Sequence, residues 1–537
     1  MKTPPPLLFN IFYALSLTTT IACLLVAANE LKWSRTGGFY QLVTANRASV
    51  QIVIQILANV FGWIHVTAIC RLINYTTRIR FNKDAISLDT LRAWIALSMA
   101  KMDWDLPIIW LLPLVLFIAL TLIPSALWAG AITPVSITTV IQSSLQVPSY
   151  ENVSYIKMWS PGNDRPDSSP LTRNAKGLFT YQVGVAFTAN LLFDAASVTV
   201  SDSSQPESPH AKFDNTQYAY LGRSYGVGSA AGLGDNFITN NSLATRYAYQ
   251  EAGYSAHVHC IYNKSNALEL NSQGYPYLYS VSGFLPDSPP GDPEYTNCAG
   301  VDDKQIVVMS VAHSETSPRR YVAITAGSSY KSLDATQCAI DFTPMLFNVS
   351  VSIANRNISV VPAGETADFN PKRNLARTVV RQYSDISATG TNFYMSLIGN
   401  ALTSSIAGWK LSHQNSSADE ATLAGLEQAF LAMTDDMLVA YGSAQLVVGG
   451  FSQATTALVH VNALRFGTPG YIYAIFSINS LVVLAFVAEA LRTRRWRKLI
   501  DFDYLDSRRL VVGSSLGGRG ISNAVLQTGR FYTATIV

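Results

Sequence analysis

Three places in the chain have residue types at spacings that could carry chemistry. Gly222-Arg223-Ser224-Tyr225-Gly226 has the spacing of a nucleophile elbow, in which a strand-to-helix turn holds a strained, exposed serine. Gln217–Leu221 can supply the strand, but Gly226 to Gly234 is too rich in glycine for the helix, and no α/β alternation surrounds it. The expectation is a flexible surface loop, with an exterior serine hydrolase at Ser224 as the lesser alternative. The overlapping Gly226-x-Gly228-x-x-Ala231 has dinucleotide-fingerprint spacing without the βαβ context that gives it meaning. His257-Val258-His259-Cys260 puts two imidazoles on one face of a strand and the thiol on the other. A metal needs three or four converging ligands, and His313 and His413 would have to be brought in by the fold. No pair of carboxylates stands out. The sequence therefore assigns no catalytic residue, metal ligand or cofactor, and Cys260 is read as buried or disulfide-bonded.

The third place is an apolar stretch. Gln51, Gln55, Asn59, Gly62 and His65 fall within roughly 120° of one helical face. Polar side chains inside a membrane face a partner helix or a cavity. They are read here as interhelical hydrogen bonding with close packing at Gly62. The alternative is a solute or proton path through His65, which would make the protein a transporter component.

What positions these residues is set by composition. Hydrophobic residues make up 49% of the 537 and charged residues 14%, against about 25% charged in soluble domains, so the chain has membrane segments. The net charge of +3 is too small to argue for nucleic acid. Ile108–Trp128 is uncharged with a tryptophan at each end, long enough to cross a hydrocarbon core of about 30 Å. Spans are also expected at 7–28, 50–70 and 471–491. The first is rivalled by a signal peptide with Val26-Ala27-Ala28 as a cleavage site, but it exceeds the usual h-region of about 7–15 residues and is read as an anchor. Arg71, Arg78, Arg80, Lys83, Arg92 and Lys101 mark one loop as cytosolic, and Arg492, Arg494, Arg495, Arg497 and Lys498 mark the tail. Both termini are then cytosolic, and Leu88–Met102 reads as a helix on the membrane surface or the bundle.

Residues 131–470 form an extracytoplasmic domain in this topology. Sequons stand at Asn152, Asn240, Asn263, Asn348, Asn357 and Asn415. Each is a weak signal singly. Asn74 also fits the pattern but lies on the cytosolic side of a span. The domain reads as α+β, β-rich over 175–365 and helical over 373–446. Phe347, Val349, Val351 and Ile353 alternate with polar residues, a half-buried strand that puts Asn348 on the wet face, and Ile358–Val361 returns after a turn. Ser201–Pro209 and Pro286–Pro293 read as mobile loops. Leu423, Leu426, Phe430, Met433, Met437 and Ala440 repeat at helical spacing behind a Ser417/Glu420 capping box. Cys260, Cys298 and Cys338 permit one disulfide, and the pair is left open. The expectation is thus a membrane protein of about four transmembrane helices, with segments 1–130, 131–470, 471–491 and a tail at 492–537.

Tail residues Ser514 to Gly518 lack the lysine of a phosphate-binding loop, and Thr535-Ile536-Val537 has a weak likeness to a PDZ-type ligand. Cys338-x-x-x-Phe342-x-Pro344-x-x-Phe347-Asn348-Val349-Ser350-Val351, the basic cluster after the last span, and Asp503 through Leu510-Val511-Val512-Gly513-Ser514-Ser515 carry a resemblance. In these the chain resembles uncharacterised multi-pass membrane proteins of filamentous fungi with one large glycosylated exterior domain. The resemblance implies a fungal source, a plasma-membrane or secretory-pathway location, and a conceivable accessory role beside secondary-metabolite pathways. It implies no catalytic residue. The functional expectation is a membrane glycoprotein, not an enzyme, whose exterior domain binds an unknown ligand or organises the cell surface.

Overall fold

The structure, a computed structural model, describes residues 6–81, 86–152, 172–173, 179–180, 185–201, 209–212, 214, 216–266, 268–314, 316–370, 374–388, 390–494, 496, 503–506 and 535–536. The sequence-level readings at 202–208 and 514–518 lie outside the described residues. In chain order, α1 (Pro6–Glu30), α2 (Gly38–Ala45), α3 (Arg47–Phe81), β1 (Ile86–Ser87), α4 (Leu88–Met99), α5 (Ile108–Thr121) and α6 (Ile123–Ile132) lead into the long strand β2 (Pro134–Pro148). Next come β3 (Thr172–Arg173), β4 (Phe179–Thr180), α7 (Val185–Ser201), β5 (Pro209–Ala211), β6 (Ala219–Leu221), α8 (Asn236–Thr239), β7 (Ala244–Tyr262), β8 (Glu269–Ser272), β9 (Leu278–Gly283), β10 (Glu294–Ala299), β11 (Val307–Val311), β12 (Tyr321–Ala326), β13 (Thr336–Ser352) and β14 (Asn357–Glu365). The chain closes with α9 (Asn374–Ala388), α10 (Leu397–Ser412), α11 (Ala418–Ala444), β15 (Ser452–Phe466), α12 (Pro469–Arg492) and β16 (Thr535–Ile536).

The chain forms two compact units, Met1–Thr139 with Asn462–Val537, and Val140–Val461. The first contains four helices long and apolar enough to cross a membrane: Ile11–Glu30, Arg47–Phe81, Ile108–Ile132 and Pro469–Arg492. The expected span at 108–128 is interrupted at Leu122. Pro124 lies in the first turn of α6 and has no N–H to give the preceding turn, so the helix breaks at Leu122 while keeping helical dihedrals there. At 35 residues, α3 is about 50 Å long, more than a hydrocarbon core requires. Its buried stripe is Ile54, Ala58, Gly62, His65 and Ala68. Gln55 and Asn59, expected on the packed face, each sit one residue on from a stripe residue, about 100° round, and are exposed, as is Gln51 in the first turns of the helix.

Close approach is enforced by glycine. A Cβ at Gly62 would stand 2.6 Å from Cβ of Ser125, and one at Gly130 would stand 2.6 Å from the Tyr471 ring. Ala22, Ala58, Trp128, Ala131, Ile472 and Ile475 fill the core between α1, α3, α6 and α12. The Ser87 hydroxyl accepts from the Thr90 N–H to cap α4, whose Leu91 and Trp94 pack with Ile86 and Tyr504. Residues 535–536 pair antiparallel with 86–87, so this part of the tail occupies a strand.

The second unit is built on a sheet ordered β2-β15-β7-β13-β14-β6-β5, with β11 and β12 joined through β13. Its spine is the antiparallel β7/β13 ladder, running from Thr336 opposite Tyr262 to Ser352 opposite Arg246. The expected hairpin is present: Phe347, Val349 and Val351 are fully buried, Asn348 and Ser350 are exposed, and Val349 pairs with Val360 of β14. Helices α7, α9, α10 and α11 bury Leu191, Val379, Tyr383, Leu402, Phe430 and Met433 with the sheet residues Val311, Val322 and Ile340. The Ser417/Glu420 capping box starts α11. One segment differs from expectation. Residues 185–201, within the stretch read as β-rich, are helical, because Leu191, Leu192 and Ala195 supply a helix face that the core buries.

Candidate functional site

The Gly-rich segment is not the flexible surface loop expected. Ser224, Val227, Ser229, Ala230 and Ala231 are all buried. Gly226 and Gly228 take positive φ, which a side chain resists, and a Cβ at Gly226 would meet Leu438 at 2.5 Å. The segment is secured by charge. Lys212 Nζ donates to the carbonyls of Ser229 (2.9 Å) and Ala231 (2.6 Å) and pairs with Asp214. Arg223 makes a two-point bond to Asp435, at 2.6 and 3.1 Å, donates to the Ala256 carbonyl, and lies over the Tyr225 ring. Short, buried segments of irregular backbone need such partners for their polar groups. Strand β6 enters the segment, but turns rather than a helix follow. Ser224 Oγ accepts a long 3.4 Å bond from the Gly226 N–H, which is not the geometry of an activated nucleophile.

Around this segment lie buried acids that the sequence did not single out. The Gly228 N–H and the Tyr249 hydroxyl donate to Glu251, and burial pushes its carboxyl up to about 7. The Tyr247 hydroxyl donates to Asp235 at 2.6 Å. Asp194 of α7 and Asp436 of α11 are buried neighbours between the two helices. Burial raises both, Asp194 to about 6 and Asp436 well above the carboxylate range. Two carboxyl groups buried side by side resist ionising together. No spacing announces this pair, because the two residues are 242 positions apart with a strand-rich region between them.

His257 and His259 are exposed on β7 while Cys260 is buried, as strand alternation requires. His259 pairs with Glu427, and His257 contacts Ser255. His313 instead meets Arg381 at 2.7 Å, and His413 stacks on Trp409. The four histidines therefore do not converge, and among the described residues no group of three or more His, Cys, Asp or Glu is placed to hold a metal. Cys260 and Cys338 form the disulfide, facing each other in the β7/β13 ladder with Cα atoms 4.0 Å apart. Cys298 is a buried thiol pushed up to about 12 by desolvation. Of the sequon asparagines, Asn152, Asn240, Asn348 and Asn415 are exposed, Asn263 and Asn357 are half-buried, and Asn74 is fully buried in α3. Asn263 Nδ2 donates to Asn266 (3.0 Å) and Gln337 (2.9 Å).

In the first unit, His65 is fully buried and bonded across helices. Its Nδ1 is 2.9 Å from the Phe61 carbonyl and its Nε2 is 3.0 Å from Asn479 Oδ1. Asn479 also bonds Thr18 (2.9 Å) and Thr19 (2.8 Å). Gln55 and Asn59 do not join this cluster.

The second unit also exposes aromatic surface. Tyr275, Tyr277, Phe393 and Tyr394 are exposed, with Tyr394 at 76% and Tyr275 at 72%. Tyr277 lies 5.8 Å from Phe393, which lies 4.7 Å from Tyr394. Exposed Met395 and Leu397 extend the patch towards α10. Phe393 lies within the 373–446 stretch expected to be helical. It falls before α10, whose N-cap is Ser396, and so escapes the helix face. Contiguous exposed rings mark interaction sites more often than scattered ones do. No protein-family model, curated protein or solved structure matches the chain.

Proposed function

We propose an integral membrane glycoprotein of the plasma membrane or secretory pathway, with both termini cytosolic, whose large sheet-rich unit lies outside the cytosol and binds an external partner. The four apolar helices and the two basic clusters support the topology. The observation that carries the binding reading is the Tyr275/Tyr277/Phe393/Tyr394 surface. These rings offer large apolar area at low conformational cost, and the tyrosines add hydroxyls for orientation. The hydrolase reading has no support in the Ser224 geometry, and the transport reading has none in the dispersed Gln55, Asn59 and His65.

Photocrosslinking tests the binding surface. A benzophenone amino acid placed at Tyr394 in native membranes is expected to form a discrete adduct that a probe at Glu365 does not form. The adduct should disappear when Tyr277 and Phe393 are both changed to alanine. Equal adducts from both positions, or none from Tyr394, overturn the assignment of the surface.

A further inference from the structure

Gln51, Gln55 and Asn59 stand four residues apart on α3, so they form one ridge that rises about 12 Å along the helix. All three are exposed, and among the described residues none of their side chains makes a hydrogen bond. Their surroundings are apolar. Ile52, Val53, Ile56, Leu57 and Val60 are exposed on the same stretch of helix, as contact with lipid tails requires. An amide set among such tails has no water for its N–H and C=O groups, and leaving them unpaired is costly. Polar side chains inside a membrane face a partner helix or a cavity. His65 and Asn479 meet that demand within the chain, whereas the ridge does not.

A lateral groove of about 430 Å³ runs beside the ridge, between α3 and the α5–α6 run. It is lined by Asn59, Gly62, Trp63, Thr121, Leu122 and Ser125. The groove gives an approaching helix room for its side chains. The chemistry of the ridge points to which helix that is. Two copies inserted with the same sidedness are related by a two-fold axis along the membrane normal. That axis sets each residue of one helix against the same residue of the other, at the same depth. Like charges there would repel, and aliphatic side chains would form no bond. An amide carries both a donor and an acceptor, so like amides satisfy each other. One Asn at the seam is enough to specify register and oligomeric state in a parallel coiled coil, and here three amides stand in line.

We infer that the Gln51–Gln55–Asn59 ridge is a homodimer seam, in which α3 of one copy packs parallel to α3 of a second copy and each amide pairs with its counterpart. This rests on the reading of the four apolar helices as membrane spans, and adds to it a partner within the bilayer.

The test is cysteine crosslinking of the full-length protein in native membranes, with the exposed Cys23 changed to serine. On mild oxidation, Gln55→Cys and Asn59→Cys should each give a disulfide-linked species of twice the monomer mass. Leu57→Cys should not, because Leu57 is exposed but lies about 160° round the helix from both. Changing Gln51, Gln55 and Asn59 together to leucine should raise the dimer dissociation constant about tenfold or more, measured in liposomes by energy transfer between fluorescently tagged copies as lipid is added. The seam is overturned by adducts of another mass, by equal crosslinking from Leu57→Cys, or by an unchanged dissociation constant in the leucine variant. Alkaline carbonate extraction separates this failure from failure of the span reading. Release of the native protein from membranes overturns both, and retention without dimer overturns the seam alone.

Discussion

Asp194 of α7 and Asp436 of α11 are buried neighbours, and burial raises both carboxyls, Asp194 to about 6 and Asp436 well above the carboxylate range. Burial also raises Glu251 to about 7 and Asp385 to about 6. A carboxyl whose value is raised in the folded state holds its proton more tightly there than in the unfolded chain. Its contribution is complete below the unfolded value and is lost as pH rises through the folded one. His210 and His313, each lowered to about 4 by burial, act in the opposite sense, losing their contribution as pH falls from about 6.5 towards 4. The carboxyls outnumber the histidines. The thermal midpoint of the protein in detergent is therefore expected to fall as pH rises from about 5 to 7.5. Asp436→Asn should flatten that slope, since the amide keeps a hydrogen at every pH. A midpoint that climbs steadily over this range contradicts the assignment.

The Cys260–Cys338 bridge closes a long loop across the spine of the sheet. Replacing both residues with alanine is expected to cost about 2–5 kcal/mol in the chain-entropy description. Cys298→Ala should leave the mobility on a non-reducing gel unchanged. In the native protein Cys298 should resist maleimide, because the thiol is buried and its reactive thiolate is disfavoured. Rapid native labelling at Cys298 would show that it is not enclosed.

Arg223 and Ser224 are neighbours with different expected sensitivities. Arg223→Ala leaves Asp435 buried without its two-point partner, a loss of about 3–5 kcal/mol measurable by denaturant unfolding. Ser224→Ala removes only one long bond to Gly226 and should cost under about 1 kcal/mol. Serine-reactive phosphonate probes should label both Ser224 forms equally weakly. Labelling that disappears in Ser224→Ala would restore the hydrolase reading.

Local pattern made part of this fold readable. The alternation at Phe347–Val351, the capping box at Ser417, and the uncharged run from Ile108 each determine one element through its own periodicity or composition, and each is present. The interruption at Leu122 follows from Pro124, whose place in a continuous apolar run hides it. Helix α7 was missed because its β-branched and aromatic residues favour a strand locally, while the buried face of Leu191, Leu192 and Ala195 decides otherwise. The Gly-rich segment at 222–234 looks like surface by composition. Its burial depends on Lys212, Asp435 and Glu251, which lie elsewhere in the sequence and announce no spacing. The same holds for Asp194 with Asp436 and for His65 with Asn479, since each pair exists only after helices distant in the chain have packed.

The central claim is that the sheet-rich unit is outside the cytosol and glycosylated. Its most direct test is a glycosidase mobility shift on the membrane-extracted protein. Asn152, Asn240, Asn263, Asn348, Asn357 and Asn415 would be changed to glutamine one at a time, with Asn74→Gln as the control. The account predicts that the exposed sites Asn152, Asn240, Asn348 and Asn415 each lose a step of mobility when substituted, and that Asn74→Gln changes nothing. If none of the six shifts, the unit faces the cytosol and the topology is wrong.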